Sequence, residues 1–167
     1  DTLMSPGSLI AALRSTGAAC NAIDEIMAGY IQHAFCATRP PGHHATTDQA
    51  MGFCLFNYIA IAALYAQQTY GLERIAIVDF DVHHGNGTQD IVKDKEGLFY
   101  ISTHQSPFYP GTGSEAENSP HNILNIPLHA GTGHSAYKKI FTEKVIPALQ
   151  DFKPQLLLVS AGFDAHH

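Results

Sequence analysis

Tryptophan is absent from this 167-residue chain, cysteine occurs three times, and charged side chains make up only 14% of it. Soluble domains average about 25% charged residues. Either much of the surface is neutral, or something outside this chain covers part of it. Lys and Arg total 9 against 15 Asp and Glu, a net charge of −6, with no basic cluster. Phosphate contacts need cations, so nucleic acid is excluded as an expected partner. No apolar run approaches the roughly 18 residues of a membrane span. The first eight residues lack the basic-then-apolar order of a secretory leader. Cys20, Cys36 and Cys54 are odd in number, far apart and set in apolar segments. That usage fits reduced thiols in a cytoplasm rather than a disulfide framework, with Cys36 and Cys54 in the core. Histidine, by contrast, occurs 11 times, which points to metal or proton chemistry.

Length alone suggests one domain spanning residues 1–167. Neither end reads as a natural boundary: no initiator Met opens the chain, and an apolar run, Leu156–Ser160, nearly closes it. A strand that apolar is expected to be buried on both faces with a helix after it. The expectation is therefore an internal piece of a larger domain. A helix should begin at Ser5-Pro6, with Gly17 as a possible break. Ala34–Thr38 is a short strand candidate, ended by Arg39-Pro40-Pro41-Gly42. Gly52–Gln68 reads as an apolar helix buried all round. Ile75–Phe80, Leu98–Ser102, Asn122–Ile126 and Leu156–Ser160 read as strands. Asn86–Lys93 and His134–Leu149 read as helices, the latter bent near Pro147. Strands alternating with helices predict an α/β fold of three αβα layers on a mostly parallel sheet. Ligands in such folds bind beyond the carboxyl ends of strands.

The polar clusters fall at those ends. Asp79-Phe80-Asp81-Val82-His83-His84-Gly85-Asn86-Gly87 follows the Ile75–Val78 run. With a period of two, Asp79, Asp81 and His83 share one face. Three ionisable groups on a buried strand are costly unless they bind something, and a divalent metal suits carboxylate and imidazole donors. An EF-hand loop does not fit, because its fifth position here is His83 and its twelfth Asp90. A dinucleotide turn fails at its third glycine position, also Asp90. Ser160-Ala161-Gly162-Phe163-Asp164 places one more carboxylate after another strand. With Asp81 and His83, Asp164 completes an open three-ligand site of the catalytic zinc type. His43-His44, after the Pro-Pro turn, can supply a general base and an electrostatic partner near pH 7. His104 follows a strand and is either near the site or structural. Phe53 and the Phe108-Tyr109 pair are candidates for an apolar channel, with plain core the alternative for Phe53. No Ser or Cys sits in a nucleophile elbow.

Five segments in this order resemble the zinc-dependent histone deacetylase family of the arginase/deacetylase fold. They are Arg39-Pro-Pro-Gly-His-His-Ala45, Gly52-Phe-Cys-Leu-Phe-Asn57, Asp79 through Asp90, Tyr109-Pro-Gly-Thr-Gly113 and Ser160-Ala-Gly-Phe-Asp-Ala-His166. The Arg-Pro-Pro-Gly-His-His form, with Asn86 after His-His-Gly, is similar to the class II and bacterial histone-deacetylase-like amidohydrolase branch, which with the cysteine usage gives the expectation of a bacterial, cytoplasmic protein. The resemblance implies Asp81, His83 and Asp164 as ligands of one catalytic Zn²⁺. It implies His44 as general base, His43 as its electrostatic partner and Asp79 as the residue orienting His43. Asn86 stands behind His44, where many relatives have Asp. Phe53 and Tyr109 match the aromatic walls of an acyl-lysine tunnel, and Asp1 a rim carboxylate that grips substrate. Backbone oxygens of Asp79, Asp81, His83 and Thr103, with Ser102, match a structural K⁺ site. The family's transition-state Tyr matches no residue up to His167.

What these roles imply is amide hydrolysis. The metal polarises the carbonyl and acidifies water, while a neutral His takes a proton and returns it to the leaving amine. Expected substrates are acetyl-lysine peptides or proteins, or acetylated polyamines, with oligomerisation open. The competing readings are a non-catalytic ligand-binding or scaffold protein of the same fold and a binuclear manganese ureohydrolase. The latter lacks a second Asp two residues after Asp164.

Overall fold

The computed structural model describes residues 2–166. They group into two compact units: residues up to Leu72 with Asn86–Ile91, and Glu73–Gly85 with Val92 onward.

The first unit is helical. Helix α1, Ser8–Met27, starts two residues later than expected, with Gly7 as N-cap. The cause is local: Ser8 Oγ accepts the Ser5 N–H at 2.8 Å and the Ser8 N–H bonds Ser5 O at 3.0 Å, closing a turn before the helix. Gly17 does not break α1; one exposed helical glycine costs only about 1 kcal/mol. Ala34–Thr38 forms no strand and is largely exposed; its Thr38 N–H bonds Cys36 O at 3.0 Å instead of a strand partner. Helix α2 covers Tyr58–Tyr70 rather than Gly52–Gln68. Asn57 Oδ1 accepts the Ala60 N–H and fixes the start. Residues 52–57 are a turn instead, and α2 is not buried all round: Ile59, Ala60, Ala62, Ala63 and Ala66 are buried while Ile61 is exposed. Tyr65 and Tyr70 on α2 both donate to Asp24 Oδ1 on α1 at 2.7 Å. Helix α3, Asn86–Val92, opens within this unit.

The second unit is built on a parallel sheet of four strands. They are β1 (Ile75–Asp79), β2 (Leu98–Gln105), β3 (Ile123–Leu128) and β4 (Leu156–Ser160), in the order β3-β2-β1-β4. Register aligns Asp79 with Ser102 on one side and Ser160 on the other, so the carboxyl ends of three strands form one row. Helix α4 (His134–Ile140), a π turn (Phe141–Val145) and helix α5 (Ile146–Phe152) form one arm. The π turn sits just before Pro147, which lacks an N–H and crowds the preceding turn. Val145 from this arm packs with Val78, Ile101 and Ile126. Burial of each such side chain is worth about 1.5–3 kcal/mol. Through Val145 the arm packs on β1, β2 and β3, and β4 is the edge strand of the described sheet. Consequently β4 is not buried on both faces: Leu156 is buried, but Leu157 is 48% and Val159 44% exposed.

Candidate active site

In the second unit, the aligned strand ends deliver three metal-type donors to one place. Asp81 and His83 follow β1, Asp164 follows β4, and one donor atom of each lies within 4.8 Å of the others. His83 Nδ1 is 3.0 Å from Asp81 Oδ1 and 3.0 Å from Asp164 Oδ2. Backbone groups aim both carboxylates. The His83 N–H donates to Asp81 Oδ1 at 2.8 Å and the Val82 N–H to Asp164 Oδ1 at 3.1 Å. Gly162 is required by close approach, since a Cβ there would strike the Asp81 carboxylate. One imidazole N–H cannot serve two carboxylate oxygens well, and two carboxylates this close repel. A divalent cation among the three atoms satisfies all of them, so the donor set fits zinc or a similar ion.

Beneath this cluster Asp79 is fully buried. Its Oδ1 accepts the Asp81 N–H at 3.2 Å and its Oδ2 the Tyr100 hydroxyl at 3.1 Å. Burial, then the neighbouring Asp79, pushes the Tyr100 hydroxyl well above the usual tyrosine range, so it stays a donor. The Phe108 ring stacks on His83 at 4.9 Å between centroids, and Tyr109 meets the same ring edge-on at 6.1 Å. Ser102 and Thr103 are buried on β2. Ser102 Oγ lies 2.9 Å from His104 Nδ1, and Thr103 Oγ1 lies 2.6 Å from the Tyr137 hydroxyl.

In the first unit, His43 and His44 are both buried, their rings 4.0 Å apart. His44 Nδ1 lies 2.9 Å from Asn86 Oδ1. The Asn86 amide nitrogen reaches Met51 Sδ at 3.3 Å and His44 O at 3.5 Å, which orients the amide with its oxygen toward His44. An amide oxygen can only accept, so His44 Nδ1 carries the proton and the neutral ring has its lone pair on Nε2. Asn57 Nδ2 donates to Ala45 O and Thr88 Oγ1, both at 3.1 Å, tying the segment after the tandem histidines to the N-cap of α2 and to the first turn of α3. Phe53 is not core: it is 70% exposed, at φ +64°, and its N–H donates to Thr2 Oγ1 at 3.1 Å. Two successive left-handed residues, Gly52 and Phe53, make the turn that thrusts the ring outward. Cys54 is buried as expected, but Cys36 is exposed, because the segment carrying it pairs with no strand. Asp1 lies outside the described residues.

Comparison with known proteins places the chain in a family. The histone deacetylase domain model matches residues 1–167. The chain belongs to the histone deacetylase family. It is similar to the histone deacetylase-like amidohydrolase of Pseudomonas aeruginosa, 44% identical over 99% of this chain and 45% of the relative. Type-2 histone deacetylase 2 of Dictyostelium discoideum is 45% identical over 99% of this chain and 11% of its own length. The crystal structure of the HDA15 HD domain matches with a TM-score of 0.93 at 40% identity, covering 98% of this chain and 50% of that one. This histone deacetylase-family chain thus spans about half or less of the relatives it matches. The α/β class and parallel sheet expected from the sequence agree with that structure.

Several contributors escape a reading of motifs alone. Asn57 lies inside a quoted segment and has the residue type and position of an N-cap, which was the available signal. Gly162 carries no signal of its own. His104 turns out to be a buried side chain of β2. Phe108, rather than Tyr109, stacks on the candidate ligand, and residue type does not distinguish the two.

Proposed function

We propose that this chain supplies the metal-holding and proton-transferring residues of a deacetylase that hydrolyses N-acetyl amides. Asp81, His83 and Asp164 hold one divalent cation, zinc by donor type. When bound, the ion provides Lewis acidity for the acetyl carbonyl and for water. His44, neutral with its lone pair on Nε2, takes a proton from the attacking water and, as imidazolium, gives one to the departing nitrogen. The water oxygen joins the carbonyl carbon, the C–N bond breaks, and acetate and a free amine result. His43 balances charge beside His44, and Asp79 orients His43. Phe53 and Tyr109 flank the acyl chain, and Asp1 holds substrate at the rim. Backbone oxygens of Asp79, Asp81, His83 and Thr103, with Ser102, hold a structural K⁺. Substrates are acetyl-lysine in peptides or proteins, or acetylated polyamines.

The observation that carries this reading is His83 Nδ1 held 3.0 Å from a carboxylate oxygen on each side. The test is metal analysis and acetyl-lysine peptide turnover by the whole protein that carries this chain. One zinc per chain with turnover abolished by chelation and restored by added Zn²⁺ is expected. Undiminished turnover in metal-free protein, or no metal uptake at all, overturns it.

A further inference from the structure

A second histidine pair lies in the second unit, and the chemistry above does not use it. His84 and His104 are both buried, with ring centroids 4.7 Å apart. Both reach the far end of the segment that carries Phe108 and Tyr109. His84 Nδ1 lies 2.8 Å from Thr112 Oγ1, and His104 Nε2 lies 2.9 Å from Gly113 O. A carbonyl can only accept, so His104 Nε2 carries a proton and, in the neutral ring, Nδ1 accepts from Ser102 Oγ at 2.9 Å. Burial holds the His104 pKa below the ordinary histidine value, in keeping with the neutral ring. Gly113 is gripped from its other side as well, its N–H donating to Glu117 Oε1 at 2.9 Å. Its φ of +87° and the two imidazoles that a Cβ would strike leave room for glycine alone.

The segment between these anchors is short. Gly111 N–H bonds Phe108 O at 2.9 Å, so Phe108 is one turn away from Thr112. Phe108 lies nearly parallel to His83, with 17° between ring planes. His84 is the next residue after His83. The backbone that presents His83 therefore also presents the side chain that anchors the aromatic segment lying over it.

We infer that His84 and His104 are positioning residues: by binding Thr112 and Gly113 they hold the Phe108 ring on His83 and fix the aromatic wall at the metal site. The structural part stands on these contacts alone. Its consequence for substrate rests on the proposed deacetylase reading. Thr112 is exposed, so a near-isosteric substitution there removes the His84 contact without opening a cavity in the core.

The test uses the whole protein with 4-trifluoromethylphenylalanine in place of Phe108, read by ¹⁹F NMR, in a Thr112→Val and a Thr112→Ser background. With Thr112 intact, one resonance shifted by the His83 ring is expected. Thr112→Val should move it toward the solvent-exposed position or split it, with the cooperative thermal transition kept. Thr112→Ser should restore it. On an acetyl-lysine peptide, Thr112→Val should raise KM up to about tenfold, the scale of one lost hydrogen bond, with kcat nearly unchanged. An unmoved resonance in Thr112→Val, or the same displacement in Thr112→Ser, overturns the inference. The ¹⁹F readout needs neither metal nor turnover, so failure of the deacetylase reading leaves it standing, and its own failure leaves that reading intact.

Discussion

His44 donates its Nδ1 proton to the Asn86 side-chain oxygen across 2.9 Å. That bond sets which His44 nitrogen keeps its lone pair in the neutral ring. A carboxylate at position 86 would do the same and add a negative charge. Asn86→Asp should stabilise the imidazolium form of His44 and raise its pKa relative to the parent. The base must be neutral to act, so the acid limb of the kcat/KM profile should move to higher pH. A pH–rate series on both proteins checks it. An unmoved limb would mean that His44 is not the base that titrates.

Removing the imidazole is the companion experiment. In the whole protein, His44→Ala should lower kcat by about 10²–10⁴, the range for a positioned acid–base group. Zinc content should remain at the parent level, because His44 is not among the three donors. Turnover equal to the parent's would remove His44 from the chemistry.

Gly162 offers a test of the candidate metal centre that removes no donor. A methyl at this position collides with the Asp81 carboxylate. Gly162→Ala should displace Asp81 and weaken metal binding, read as loss of zinc on dialysis against a chelator of graded strength. Asp164→Ala removes a donor outright and should lose more. Parent-like retention in both would show that the ion sits elsewhere.

The Asp24 contacts predict a pH effect on folding. Hydrogen bonds from Tyr65 and Tyr70 hold the Asp24 carboxyl below its ordinary range, and the Asp24 hydrogen bond pushes Tyr70 up to about 12. A raised acid favours the protonated folded form. Its contribution is complete below pH 10, the unperturbed tyrosine value, and is lost as pH climbs through about 12. Asp24 acts oppositely: its contribution is present above the ordinary carboxyl value and is lost as pH falls through the depressed one. Tyr70→Phe should flatten the alkaline arm of a melting-temperature profile between pH 10 and 12. Two superimposable profiles would show that the clamp carries no stability.

Strand order and site differ in how they are written into residues. β4 has its expected bounds because an unbroken apolar run flanked by polar residues has few other readings. Its exposure was not legible, since which strand ends the sheet depends on pairing between distant segments. Asp81 and His83 are two residues apart on one strand end, and local periodicity suffices to join them. Asp164 comes to them only through the β1–β4 register that sets Asp79 beside Ser160. The start of α2 was misplaced by six residues because apolar composition continues through Gly52–Phe56. The side-chain cap at Asn57, one hydrogen bond, decides where the helix begins.

The segment from Ser106 to Gly113 is fastened at both ends. Ser106 N–H bonds Leu128 O at 2.8 Å, and Gly113 is held through both its N–H and its carbonyl. A strap fastened so cannot lengthen to make room. A bulkier molecule laid against it has to be accommodated by turning or trimming the side chains at 108 and 109, because the main chain has no slack to give. Under the proposed function, size preference at this wall then rests on the side chains at 108 and 109 rather than on the main chain. It can drift by single replacements while Asp81, His83 and Asp164 stay where they are.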